Sequence, residues 1–102
     1  MPINRVKVAI EAIKRGEMVV MVDDEDRENE GDLVYAATFS TPKMVNFMAS
    51  EAKGLICVAL EREQATRLEL NPMVSNNNSS YETAFTVSVD AKEALTGISA
   101  GE

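Results

Sequence analysis

The sequence predicts an α/β (α+β) domain, a mixed β-sheet flanked by helices in a sandwich-like arrangement. Three observations carry that expectation. Apolar residues recur at helical spacing near the N-terminus and again after residue 42; short runs rich in β-branched residues separate these segments; and the run Leu55 to Leu60 (LICVAL) is apolar throughout, as in a strand covered on both faces. The 102 residues are 45% hydrophobic and 26% charged, which suits one compact domain or part of a larger one.

The elements follow in order. Val6, Ala9, Ile10 and Ile13 lie three and four apart with charged residues on the other faces, and Gly16 is a natural stop, so the first helix is expected over roughly Asn4 to Arg15. Met18 to Val22 and Leu33 to Ala37 read as strands. Ser40-Thr41-Pro42 offers a capping hydroxyl before a proline suited to the first helical turn, and Met44, Val45, Phe47, Met48 and Ala52 continue a helix to Lys53, stopped by Gly54. Leu55 to Leu60 is the doubly covered strand, and Glu61 to Leu70 a short helix with Ala65, Leu68 and Leu70 inward. Asn71 to Tyr81 is dense in Asn and Ser, which favour turns, and reads as a long polar loop. Thr83 to Asp90 alternates like a strand with one buried face. Ser99-Ala100-Gly101-Glu102 has the spacing of a capping box, which opens a helix.

Composition excludes several functions. With 17 acidic and 10 basic residues the formal net charge is -7, which disfavours nucleic acid and suits cations. A chain without histidine performs no histidine chemistry, and its lone Cys57 forms no internal disulfide. No apolar run approaches the ~20 residues a bilayer needs, and the charged, helical N-terminal segment is unlike a signal or transit peptide. The cytoplasm is the expected compartment.

One stretch stands out. VDDEDRENEGD, Val22 to Asp32, packs seven carboxylates and one arginine into eleven residues between the first two strands. Most charge runs are solvated loops. Here, however, Arg27 sits inside the cluster, Gly31 permits an unusual turn, and Asp32 stands at the mouth of the next strand. The mutual repulsion is expected to raise carboxylate pKa values unless a cation offsets it. An EF-hand does not fit: its twelfth position is Ala37 instead of a bidentate glutamate, and the flanks read as strands. Mg²⁺ fits better, because it takes one or two carboxylates and keeps several waters or substrate oxygens. Glu28 and Glu30 would supply such ligands or a base, and Arg27 an anchor for an anionic substrate.

The acidic block DDEDRENEGDL, followed by GLICVAL, TAFTVSVD and TGISA in that order, resembles the 3,4-dihydroxy-2-butanone-4-phosphate synthases of riboflavin biosynthesis. The resemblance implies their fold and a lyase that uses Mg²⁺ (or Mn²⁺) to convert the sugar phosphate D-ribulose 5-phosphate into L-3,4-dihydroxybutan-2-one 4-phosphate and formate. It also implies the residue roles. Glu28 matches the metal-ligating glutamate, Arg27 and Glu28 the substrate-binding pair, and Asp32 a substrate-contacting aspartate. Glu30 is expected as a second acid or base, which makes Glu28, Glu30 and Asp32 the catalytic candidates. Asp23 and Asp26 are lesser candidates, and Asp24 and Glu25 spectators. Cys57 matches a cysteine close to substrate, although a lone Cys among Leu55, Ile56 and Val58 is ordinarily a small buried hydrophobe. Thr83 and Thr86 would line the pocket from their strand.

Members of that family have a domain of about twice this length, and their further part carries a metal-ligating histidine, a Gly-His-Thr phosphate segment and another catalytic glutamate. Residues 1–102 are thus expected to form the N-terminal portion of a single synthase domain, with little activity alone. The resemblance also implies a homodimer for the full-length enzyme. The competing expectation is a non-enzymatic module that keeps the fold and weak cation binding.

Overall fold

The structure, a computed structural model, describes residues 2–75 and 84–102. Thr83 and residues 76–81 of the polar loop lie outside the described residues. The chain divides into two compact units, Met1–Ile56 and Cys57–Ala100 with Glu102.

The first unit is built on helix α1, Pro2–Lys14, and an antiparallel hairpin of strands β1, Val19–Val22, and β2, Gly31–Val34. The helix ends as a glycine should end it. Gly16 adopts a left-handed φ of 83°, its N–H bonds the Ile13 carbonyl at 3.0 Å, and the Glu17 N–H reaches the Ala12 carbonyl at 2.9 Å, which together satisfy carbonyls that a helix end leaves open. The hairpin register pairs Val19 with Val34, Val20 with Leu33, Met21 with Asp32 and Val22 with Gly31. Because opposed residues share a face, Val19, Met21, Asp32 and Val34 lie on one side of the ribbon.

Packing departs from the helical stripe expected from sequence. Ala12 is the one buried residue among the described residues, at 8% exposure, with Ala9 and Ile13 half-buried beside it. Val6 and Ile10 remain exposed. The inward line is therefore Ala9, Ala12, Ile13 and Gly16, and beside it lies an open groove of about 370 Å³ lined by Asn4, Arg5, Val8, Ala9, Ala12 and Val19.

After β2 the chain makes a 3₁₀ turn, Ala37–Phe39, so the second strand starts and ends earlier than the expected Leu33 to Ala37. Helix α2, Pro42–Phe47, begins as the sequence indicates: the Thr41 hydroxyl accepts the Met44 N–H at 3.2 Å and Pro42 opens the first turn. It widens into a π-helical turn, Met48–Ala52, which packs against β2, and it ends on Lys53 in the left-handed region at φ 59°. Gly54, the expected stop, has no such conformation.

The second unit carries helix α3, Arg62–Arg67, opened by a reciprocal capping box between Glu61 and Gln64. Its inward side is Ala65 and Leu70, while Leu68 is exposed. Two expected strands are not formed as ladders among the described residues. Leu55 to Leu60 is unpaired, and Leu55 is 78% exposed; a run apolar on both faces gains little until partner strands and covering helices take it out of water. The described part of Thr83 to Asp90 makes a single antiparallel bridge, Thr86 with Pro72, flanked by Met73 N–H to the Phe85 carbonyl (2.9 Å) and Val87 N–H to the Asn71 carbonyl (2.8 Å). Pro72 has no N–H to extend that pairing. The chain is α+β with helices and a two-stranded antiparallel sheet.

Candidate functional site

The acidic stretch forms the loop of the β1–β2 hairpin. Asp23 follows β1 directly, and its backbone N–H bonds the Glu30 carbonyl at 3.3 Å, one step beyond the strand ladder. Inside the loop, the Asp24 carbonyl accepts from Arg27 N–H (3.0 Å) and Asn29 N–H (3.2 Å), with Asn29 at φ 52°. Asn tolerates this left-handed conformation better than most residues. The special backbone position is thus Asn29 and not Gly31, which is the first residue of β2 and has no positive φ.

Side chains converge on Asp23. Its Oδ1 accepts the Glu30 N–H at 2.8 Å; its Oδ2 accepts the Glu28 N–H at 3.0 Å and Arg27 Nη1–H at 2.9 Å. The same Arg27 Nη1 pairs with Glu28 Oε1 at 2.6 Å. Charge repulsion is therefore not what sets Asp23. The Glu30 N–H foremost, with the Glu28 N–H and the Arg27 guanidinium, holds its carboxyl below the usual range against a smaller opposing effect of burial. Arg27 is raised in turn, chiefly by its hydrogen bond to Asp23 and the charge of Glu28. The cation that offsets the loop's repulsion is, in this structure, its own arginine.

Of the residues singled out from sequence, Arg27 and Glu28 are held side by side, Glu28 half-buried and Arg27 half-exposed. Glu30 closes the loop through its backbone, leaving its exposed carboxylate out of these bonds. Asp32 sits within β2 opposite Met21, exposed. Cys57 belongs to the second unit as an exposed free thiol, not the buried hydrophobe its neighbours suggest, because the run around it lacks a ladder. Thr86 is half-buried and donates its hydroxyl to the Val87 carbonyl at 3.0 Å. The residue that sequence reading undervalued is Asp23. The available signal was its place, an aspartate directly after a strand with turn residues behind it, where the side chain commonly bonds backbone ahead.

No three His, Cys, Asp or Glu side chains converge into a metal cage among the described residues. What the loop offers is carboxylate oxygen, with Glu28 the least exposed group not consumed by backbone donors. That donor set fits Mg²⁺, which takes one or two carboxylates and fills its octahedron with water and substrate oxygens. It does not suit an ion that demands a closed nitrogen or sulfur cage.

Fold and loop together define an α+β protein that presents its polar chemistry on one acidic hairpin, a carboxylate and a guanidinium side by side at the tip. The chain belongs to the 3,4-dihydroxy-2-butanone 4-phosphate synthase family, whose model matches residues 7–102. A synthase of that name from Sulfurospirillum multivorans is 73% identical over 100 residues, covering 98% of this chain and 28% of that protein. The riboflavin biosynthesis protein RibBA of Bacillus subtilis is 55% identical over 97 residues, covering 95% of this chain and 24% of the other. Among solved structures, a 3,4-dihydroxy-2-butanone 4-phosphate synthase in complex with two magnesium ions is similar with a TM-score of 0.89 and 46% identity, over 93% of this chain and 45% of that one. The chain thus spans less than a third of the length of these curated relatives. No described helix is long and apolar enough to cross a membrane.

Proposed function

We propose that residues 1–102 supply the acidic half of the active site of a Mg²⁺-dependent lyase that converts D-ribulose 5-phosphate into L-3,4-dihydroxybutan-2-one 4-phosphate and formate. The observation that carries this reading is the Arg27–Glu28 pair, 2.6 Å apart on a loop whose backbone is tied at both ends to Asp23 and Glu30. Family membership and the magnesium-bound relative support it.

In this reading Glu28 is the protein's metal ligand, and Arg27 with Glu28 and Asp32 binds the substrate. Mg²⁺ held by Glu28 would supply positive charge to stabilise negative charge on substrate oxygen. The exposed carboxylates of Glu30 and Asp32 take up and return protons beside the substrate carbonyl, as positioned carboxylates do in such steps. Arg27 donates to substrate oxygen once it exchanges one of its carboxylate partners for that ligand. Cys57 and Thr83 contact substrate without acting as nucleophiles. Mn²⁺ would serve the same hard oxygen donors. A cytoplasmic homodimer is the assembly proposed for the full-length enzyme.

A second reading has its own observation. With no three metal-type ligands converging among the described residues, this chain taken alone would bind a divalent cation weakly and perform no chemistry. Formate release from ribulose 5-phosphate and Mg²⁺ separates the two. The 102-residue chain is expected to release formate at background rate, and a full-length family enzyme containing this loop to turn over. Sustained turnover by the pure 102-residue chain would overturn the proposal that it is only half a site.

A further inference from the structure

We infer that Asp23 is a positioning residue for this site: it sets where the Glu28 carboxylate and the Arg27 guanidinium stand, without itself holding metal or substrate. The inference rests on the function proposed above and adds a residue to it.

The geometry divides labour between its two oxygens. Oδ1 bonds the Glu30 N–H and, with the Asp23 N–H on the Glu30 carbonyl, closes the base of the loop. Oδ2 takes the Glu28 N–H at 3.0 Å and Arg27 Nη1 at 2.9 Å. Glu28 is thereby held at both ends from one atom: its backbone directly, and its carboxylate through Arg27 Nη1 at 2.6 Å. An ionised carboxylate offers about four lone-pair sites, and three are already filled by N–H donors, which makes Asp23 a poor ligand but a good support.

Exposure follows the same order. The Asp23 side chain is 22% exposed, Glu28 35% and Arg27 50%, so the support lies beneath the groups it presents. Other loop bonds, Arg27 and Asn29 N–H to the Asp24 carbonyl and Asp26 N–H to Asp24 Oδ1, shape the chain path but touch neither functional side chain.

The test uses the isotope-labelled chain without metal or substrate. Scalar couplings across hydrogen bonds are expected from the Glu28 and Glu30 amide nitrogens to the Asp23 carboxyl carbon. In Asp23→Asn, with one accepting oxygen instead of two, one of these bonds is lost and the Arg27 side-chain resonances shift, while the Val20–Leu33 ladder keeps its shifts. Titrated with Mg²⁺ and read at the Glu28 carboxyl carbon, the variant should need about 10- to 100-fold more ion, the usual effect of removing a supporting partner behind a ligand. A purely structural Asp23 would move the ladder with the loop, or leave the Mg²⁺ midpoint where it was. Absence of both couplings in the unsubstituted chain overturns the inference even if Asp23→Asn fails to fold, and so does an unchanged midpoint in a variant with an intact ladder. Couplings that stand as expected beside a Glu28 carboxyl that stays indifferent to Mg²⁺ even in a full-length family enzyme carrying this loop would instead overturn the function proposed above.

Discussion

Asp23 and Glu30 hold each other twice, the Asp23 N–H on the Glu30 carbonyl at 3.3 Å and the Glu30 N–H on Asp23 Oδ1 at 2.8 Å. The loop is therefore closed by groups other than the Glu28 carboxylate, which pairs with Arg27. That separation of closure from presentation makes Glu28 a position where chemistry can be removed without removing structure.

Glu28→Gln in a full-length family enzyme carrying this loop should accordingly lower Mg²⁺-dependent formate release by on the order of 100-fold or more. The amide still accepts from Arg27 but no longer brings a charge to the metal. Loop amide shifts should stay near those of the unsubstituted protein. Activity within a few-fold of the parent would place the metal ligand elsewhere.

Glu102 gives a pH dependence. Its carboxylate accepts N–H bonds from Leu95 (3.0 Å), Gly97 (2.9 Å), Thr96 (3.4 Å) and Ser99 (3.4 Å). The Leu95 N–H foremost holds its pKa below the ordinary 4.5, with a smaller opposing contribution from burial. A depressed folded-state pKa stabilises this turn fully above the unfolded value, and the stabilisation is lost as pH falls through the lower folded one. Carboxyl-carbon titration should put Glu102 below 4.5, with the Leu95 and Gly97 amides shifting at the same midpoint. A midpoint at or above 4.5 would show the bonds are not made in solution.

How much of this was legible beforehand depended on the range of the interaction. The Thr41-Pro42 cap and the Gly16 stop formed as expected, because a cap is decided by residues within one turn. The hairpin around the acidic loop was legible for the same reason. The Leu55 to Leu60 strand was not borne out, since a ladder depends on partners far along the sequence. Within the loop, Arg27 and Glu28 stood out by residue type, whereas Asp23 acts through backbone N–H groups that no residue letter displays. The choice of Asn29 over Gly31 as the left-handed residue was hidden likewise.

Gly16→Ala tests the end of α1. At φ 83° an L-residue is strained, and a Cβ built there would lie 3.1 Å from Cγ and Cδ1 of Phe39, tighter than ordinary contact. The left-handed conformation alone costs about 1–2 kcal/mol, so exchange of the Glu17 amide bonded to the Ala12 carbonyl should quicken by roughly 5- to 30-fold. Adding Phe39→Ala relieves the contact but not the φ, and most of the effect should remain. Full recovery in the double variant would assign the strain to the ring.

Glu69→Gly tests the converse at the end of α3. Glu69 occupies the left-handed region at φ 57°, and the bonds around it, Glu69 N–H to the Thr66 carbonyl (3.1 Å) and Leu70 N–H to the Ala65 carbonyl (2.9 Å), are those that usually surround a glycine. Glycine takes this conformation without the steric cost of a Cβ, and that saving is partly offset by its greater freedom in the unfolded chain. The net effect should be a stabilisation of about 0.5–1 kcal/mol, read as slower exchange of the Leu70 amide. Half-buried Ala65 and Leu70 keep their places on either side of the turn, so the helix should be tightened without being repacked. If exchange at Leu70 is unchanged or faster, the Glu69 side chain contributes something to the turn that outweighs its backbone strain.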